Sequence, residues 1–236
     1  MKKNIIKSLC GAAALLAAAS TASAITTDAI RVSIDGGAHW TTVNDGDTTA
    51  NGDFNSAPFK IIAAFNLGSG AFTVSVGGIG TGSGTASPFL DISVAGTMDA
   101  GTLIVQFSAN GFAPVSGGGY VTTQTENGNN NALTETTFFG GGAGVNSLFD
   151  TTGGNLTPIS LLPGPIGGTS SGPAPGGLTA PYSITIQDVF TSGGGGNLSA
   201  DTTVKVPDGG NTLMLLGSAL SVLGLGVFRN RKAVKA

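Results

Sequence analysis

The feature that most limits what this chain can fold into is an apolar residue at every second position, a pattern that stops and restarts many times. It runs through Phe59-Ile61-Ala63-Phe65-Leu67, Phe72-Val74-Val76, Leu103-Val105-Phe107 and Tyr182-Ile184-Ile186, often with Lys, Thr, Ser, Gln or Asn in between. A period of two places one set of side chains on one face of a strand, and no long helical period interrupts it between residues 25 and 205. Weaker strands are expected at 30–34, 40–43, 89–94, 120–125, 133–139 and 200–206. Turns such as Asp35-Gly36-Gly37 and Gly77-Gly78 separate them. About ten short strands, each apolar on one face, predict an all-β fold of antiparallel sheets packed as a β-sandwich. Phe65, Phe72, Val74, Leu103, Val105, Phe107, Ile184 and Ile186 are expected to point inward.

Both ends of the chain follow other rules. Residues 1–24 carry Lys2, Lys3 and Lys7, an apolar stretch over 9–19, and Ala22-Ser23-Ala24, the pattern of a secretory signal peptide cleaved before Ile25. The chain's single cysteine, Cys10, falls inside that segment, so an exported domain over 25–205 has no thiol for a disulfide, a nucleophile or a metal. At the other end, Val206-Pro207-Asp208-Gly209-Gly210 precedes an uncharged run over 212–228 and a basic end over 229–236 with Arg229, Arg231, Lys232 and Lys235. Roughly 17 to 20 apolar residues can cross a bilayer core as a helix, and a basic cluster directly after them favours the cytoplasmic side. The order predicts a stop-transfer transmembrane helix with the rest of the chain outside.

A Val-Pro-acidic turn, an apolar helix and an Arg-rich end, in that order at the C-terminus, resemble the PEP-CTERM sorting signals processed by exosortases. Val206 and Pro207 match, Asp208 stands where Glu is usual and Gly209 where the second Pro would be, which is similar to the Val-Pro-Asp variant class. The resemblance implies recognition of residues 206–210 by a membrane-embedded transpeptidase and removal of the tail. A second resemblance covers the core. GAFTVSVGG, SPFLDISV, AGTLIVQFSANGF and PYSITIQDVF, leading into the sorting motif, look like a recurring class of exported PEP-CTERM proteins. That class implies a sandwich and assigns no activity.

Within the exported part, residues 140–177 hold Gly140-Gly141-Gly142, Leu162-Pro163-Gly164-Pro165 and Ser171-Gly172-Pro173-Ala174-Pro175-Gly176-Gly177, which predict a flexible Gly/Pro-rich insert. Ser192-Gly193-Gly194-Gly195-Gly196 is expected to be a hairpin tip between two strands. Between Asp28 and Asp208, three bases (Arg31, Lys60 and Lys205) stand against thirteen acids, a formal charge of −10 that makes nucleic acid a poor partner.

Chemistry is hard to assemble from this set. His39 is the only histidine, which leaves Ser-His-Asp and imidazole–metal arrangements without parts, and no spacing singles out a pair of carboxylates for glycoside hydrolysis. Asp45, Asp47 and Asp53 share one Gly-broken loop but lack the EF-hand spacing and its closing Glu, so a solvated turn is expected rather than a metal site. The sequons at Asn155 and Asn197 are short patterns that recur by chance. No catalytic residue, cofactor or metal is therefore expected. The expectation is an exported, non-enzymatic cell-surface or polysaccharide-matrix protein of a bacterium. Its partners would be the secretion machinery and signal peptidase, an exosortase-like enzyme, the membrane until the tail is removed, and extracellular polysaccharide. A secreted carbohydrate-binding module and a secreted hydrolase are the rivals. A binder needs exposed aromatics along one sheet face, for which Trp40, Tyr120 and Tyr182 are the candidates, and a hydrolase needs a cleft with converging carboxylates.

Overall fold

A computed structural model of the chain describes residues 28–49, 52–81, 89–112, 119–126, 131–140, 147–162, 166–173 and 182–205. The signal peptide, the motif Val206 to Gly210, the run 212–228 and the basic cluster lie outside these residues.

The described chain forms twelve strands: β1 (Asp28–Ser33), β2 (Thr41–Asn44), β3 (Lys60–Leu67), β4 (Phe72–Thr81), β5 (Phe89–Met98), β6 (Gly101–Phe112), β7 (Gly119–Glu126), β8 (Asn131–Gly140), β9 (Ile159–Leu161), β10 (Ile166–Pro173), β11 (Tyr182–Ser192) and β12 (Gly196–Lys205). They make two six-stranded sheets, in the orders β2-β1-β6-β11-β8-β9 and β10-β7-β12-β5-β4-β3, with every pairing antiparallel. The fold is an all-β sandwich. The eight residues expected inside are all buried between the sheets, because a sandwich removes one face of every alternating strand from water. The sheets approach closely at Gly78, where a Cβ would stand 2.8 Å from the Phe107 ring, so the backbone of β4 lies directly on that side chain.

Three stretches differ from the sequence reading. Gly77-Gly78 is not a turn but lies inside β4, paired with β3 and β5 on either side, because the bare backbone there lets the sheet pass over the Phe107 ring. Gly193 to Gly196 do not tip a hairpin. The preceding strand β11 pairs with β6 and β8 in the first sheet, and the following strand β12 pairs with β5 and β7 in the second, so these glycines carry the chain from one sheet to the other. Strand propensity holds on both sides of the glycines, but propensity does not say which partner a strand takes. Inside 140–177, residues 147–158 are turn and coil, but two other described parts are strands. β9 continues the edge of β8, and β10 pairs with β7 along its whole length, because an edge position tolerates the missing donor of Pro173 and the bare backbone of Gly167 and Gly168.

The free edge of β3 is covered by the loop before it. Asp53 Oδ1 accepts the Ile62 N–H at 2.9 Å, and the Phe54 N–H donates to Ile62 O at 2.8 Å, which satisfies groups that an edge strand would otherwise leave open.

Candidate functional site

In β1 the inward set includes Ile30 and Val32, so the period of two turns Arg31 onto the outer face of the first sheet. Register then builds a row across five strands, from Thr42 of β2 through Arg31, Gln106 of β6 and Gln187 of β11 to Thr136 of β8. Hydrogen bonds join its centre. Arg31 Nε donates to Gln106 Oε1 at 2.6 Å, and Gln106 Nε2 donates to Gln187 Oε1 at 2.6 Å.

The guanidinium carbon lies 4.1 Å from the Trp40 ring centroid and 4.2 Å from that of Phe149. Two loops deliver those rings. In the β1–β2 turn, Gly37 N–H donates to Ser33 Oγ at 2.9 Å and Asp35 Oδ1 accepts the His39 N–H at 3.0 Å, with Gly37 at a φ of 91°. A Cβ on Gly37 would stand 3.2 Å from the Trp40 ring, so both the positive φ and the close approach call for glycine. Phe149 has a φ of 62°, uncommon for an aromatic residue, and its N–H donates to Ser108 Oγ at 2.9 Å, which shares a 2.8 Å bond with Thr185 Oγ1. The loop is thereby pinned across the sheet with its ring over Arg31.

Arg31 is half-buried, and among the described residues its Nη groups have no acceptor and no carboxylate pairs with it. Partial burial lowers its pKa, yet a guanidinium starts so high that it stays charged at neutral pH. The outward positions of β1, β2, β6, β8 and β11 carry no Asp or Glu. A cation held between two rings, beside two amides and with free donors, is built to take up ligand oxygens in the plane of the guanidinium.

Of the aromatics expected to mark a binding face, only Trp40 reaches it. Tyr120 and Tyr182 are at most 1% exposed, with their hydroxyls bonded to one another inside the sandwich, because both fall on the inward parity of β7 and β11. His39 is exposed and its Nδ1 lies 2.5 Å from Asp35 Oδ2. The hydrogen bonds from His39 and Ser33 hold the Asp35 carboxyl well below the usual carboxylate range. This pair closes the turn that carries Trp40. Arg31, Gln106, Gln187 and Phe149 carry no mark in the sequence that singles them out as a site. The first three stand at outward positions beside inward Ile30, Val105, Phe107 and Ile186, which is a readable signal, but their alignment in one row depends on strand register.

Two other groups of acids bear on where a site could lie. Asp47 Oδ1 accepts the Thr49 N–H at 3.0 Å, and Asp53 accepts the N–H groups of Gly46, Asn55 and Ile62, so these two serve the loop's own backbone. Inside the sandwich, Asp188 of β11 and Glu135 of β8 are register partners, both sealed from water. Gln124 Nε2 donates to Asp188 Oδ1 at 3.0 Å, Thr202 Oγ1 lies 3.2 Å from Asp188 Oδ2, and Thr137 Oγ1 donates to Glu135 Oε1 at 2.7 Å. Burial pushes Glu135 up to about 7. Burial, with repulsion from Glu135 behind it, lifts Asp188 well above the carboxylate range. A polysaccharide cannot reach either group there, so their effect falls on stability.

No protein-family model matches the chain, and no curated protein matches it. Among solved structures, the chain is similar to the enzymatically active domain of tailspike protein 4 of bacteriophage CBA120, at 12% identity and a TM-score of 0.30, over 76% of this chain and 19% of that one. It is also similar to the adhesin domain of Epf from Streptococcus pyogenes, at 9% identity and a TM-score of 0.35, over 75% of this chain and 57% of that one. A third is a family 11 carbohydrate-binding module from Clostridium thermocellum, in complex with a β-1,3-1,4-mixed-linked tetrasaccharide. It matches at 10% identity and a TM-score of 0.33, over 65% of this chain and 91% of that one. The chain thus spans less than two thirds of the first two.

Proposed function

We propose that this chain is an exported, non-catalytic surface or matrix protein that contacts extracellular polysaccharide through the outer face of its first sheet. The observation that carries the reading is Arg31, held between Trp40 and Phe149 with its Nη donors unpartnered among the described residues, on strand positions that hold no acid. Sugar hydroxyls and carboxylates present oxygens that a guanidinium bonds directionally, buried Gln106 holds that guanidinium in place from below, and the flanking rings offer apolar surface to the sugar ring. Export is part of the same proposal. The signal peptide over 1–24 brings the chain to the secretion machinery. Val206, Pro207 and Asp208 would then be read by an exosortase-like enzyme, Gly209 and Gly210 would expose the scissile region, and the helix over 212–228 would hold it at membrane depth until the chain is handed to the cell surface.

Titration of the full chain with neutral and uronate-containing oligosaccharides tests the binding face. Arg31→Ala should weaken the interaction by about tenfold or more, the loss of one or two hydrogen bonds to a charged group. Equal affinity in the variant, or no binding of any saccharide, would remove this face from the function. For processing, intact-mass measurement of the surface fraction should show chains ending near residues 207–210, whereas retention of residues 229–236 would make this a plain anchored protein.

A further inference from the structure

We infer that Asp28 and Asp45 form an oxygen-ligand site for a hard divalent cation of calcium's kind, at one end of the sandwich. Asp28 begins β1, and the period that turns Ile30 and Val32 inward turns Asp28 inward with them. It is 1% exposed, and among the described residues neither of its carboxylate oxygens has a hydrogen-bond partner. Gly80 of the opposite sheet faces it so closely that a Cβ there would stand 2.4 Å from Asp28 Oδ2 and 3.4 Å from the Ala109 side chain. The carboxylate is therefore held between the two sheets.

A second acidic residue, Asp45, is fastened next to it in the fold. The Asp45 N–H donates to Asp28 O at 3.0 Å, which ties the loop after β2 to the first strand. Asp45 Oδ2 accepts the Phe59 N–H at 2.9 Å, and Phe59 O in turn accepts the Gly80 N–H at 3.0 Å. Phe59 sits at a φ of 63°, so the corner that joins Asp28, Asp45 and Gly80 is closed through a backbone conformation that non-glycine residues seldom adopt. Burial, then repulsion from Asp45, pushes Asp28 up to about 7.

A buried carboxylate without a donor has three ways to lower its free energy: a base, a proton or a metal ion. Among the described residues no base pairs with it. A proton placed on one oxygen would leave the other without a donor. A divalent ion satisfies both oxygens and turns the repulsion from Asp45 into shared attraction. Oxygen-only ligands select calcium-like ions over zinc. Among the described residues no three acidic or imidazole side chains converge, so two carboxylates would carry the charge while backbone carbonyls and water complete the shell. The acid excess of the exported part adds a field that concentrates cations at its surface. The sequence reading of the Gly-broken loop as a plain turn still describes Asp47 and Asp53. It could not include Asp28, which lies in a strand and meets the loop only in the folded chain.

The test is thermal unfolding of the full-length chain after EDTA treatment, with calcium chloride or magnesium chloride added back, together with calorimetric titration of calcium. Wild type should show a saturable rise of several degrees in the midpoint at millimolar calcium, one ion per chain, and a smaller rise with magnesium. Asp28→Asn should lose the rise while unfolding in EDTA at or above the wild-type midpoint, since the orphaned charge is gone. Asp45→Asn should weaken calcium binding, and Asp47→Asn should keep it. A wild-type midpoint indifferent to calcium and EDTA, with no heat of binding, would overturn the inference, as would a calcium response that survives Asp28→Asn.

Discussion

Between β1 and β6 on one side and β3, β4 and β5 on the other, the interior is closed by Ile30, Val105, Phe107, Phe65, Val76 and Ile92. Between β8 and β11 on one side and β7 and β12 on the other, Glu135, Thr137, Asp188, Gln124, Thr122 and Thr202 are buried among apolar side chains such as Leu133, Ile186, Phe190, Leu198 and Val204. Both halves come from the same alternating strands, yet they contribute differently. The apolar half gains roughly 25 cal/mol for each Å² removed from water. The polar side chains in the second half add little net free energy to the apolar burial around them, since every bond they make replaces one to water, but they are intolerant of misregister because a shift of one residue would leave buried carboxyls without donors. An aromatic group ends the polar half, with Phe139 placed 4.8 Å from Tyr120 and 6.5 Å from Tyr182 between ring centroids. Apolar burial supplies the stability of this sandwich, and the buried polar network specifies its pairing.

Truncation in the apolar half should have the largest effect. Phe107→Ala, at the point where β4 lies on the ring, should cost about 3 to 5 kcal/mol in a denaturant titration. A loss under about 1 kcal/mol would place the main core elsewhere.

The polar half should announce itself through pH. Glu135 binds its proton more tightly when folded, up to about 7, than the unfolded chain does near 4.5, so the folded state is favoured below pH 4.5 and loses that advantage as pH rises through about 7. Asp28 acts in the same direction in the absence of a bound cation. The Glu135 part should amount to roughly 3 kcal/mol between pH 4.5 and 8. Glu135→Gln should remove most of it when stability is measured at both pH values. An unchanged pH dependence would mean that the pair is not the titrating element.

Thr202→Val keeps the volume but takes a hydroxyl from Asp188 and Gln124, and should cost about 1 to 3 kcal/mol, the usual penalty for a buried group left unsatisfied. A neutral result would make the network dispensable. On the outer face of the second sheet, Thr123→Ala removes an exposed hydroxyl and should stay within about 0.5 kcal/mol, which sets the baseline for the other three.

Much of this difference is within reach of the sequence. Glu135 has the parity of Leu133 and Phe139, and Asp188 that of Ile184, Ile186 and Phe190, so strand alternation alone puts both at inward positions. What parity does not supply is company. Asp188 meets Glu135 through the β8–β11 register and Gln124 from the opposite sheet, and neither relation leaves a local trace. The same holds for Arg31, whose outward direction follows from Ile30 and Val32, while Gln106 lies 75 residues away in sequence.

The amino-acid sequence by itself determined the all-β class, the buried face of each strong strand and the turn at Asp35-Gly36-Gly37, but not the place of Gly77-Gly78, which lies inside a strand; a two-residue period and glycine's freedom at positive φ act within a few residues of chain. The tertiary structure decided which strands pair, that Gly193 to Gly196 pass between sheets, that the tyrosines are interior, and which side chains share the row at Arg31 and the corner at Asp28. Those relations are set by the simultaneous closure of both sheets over one interior, a condition on the whole chain that no window of sequence contains.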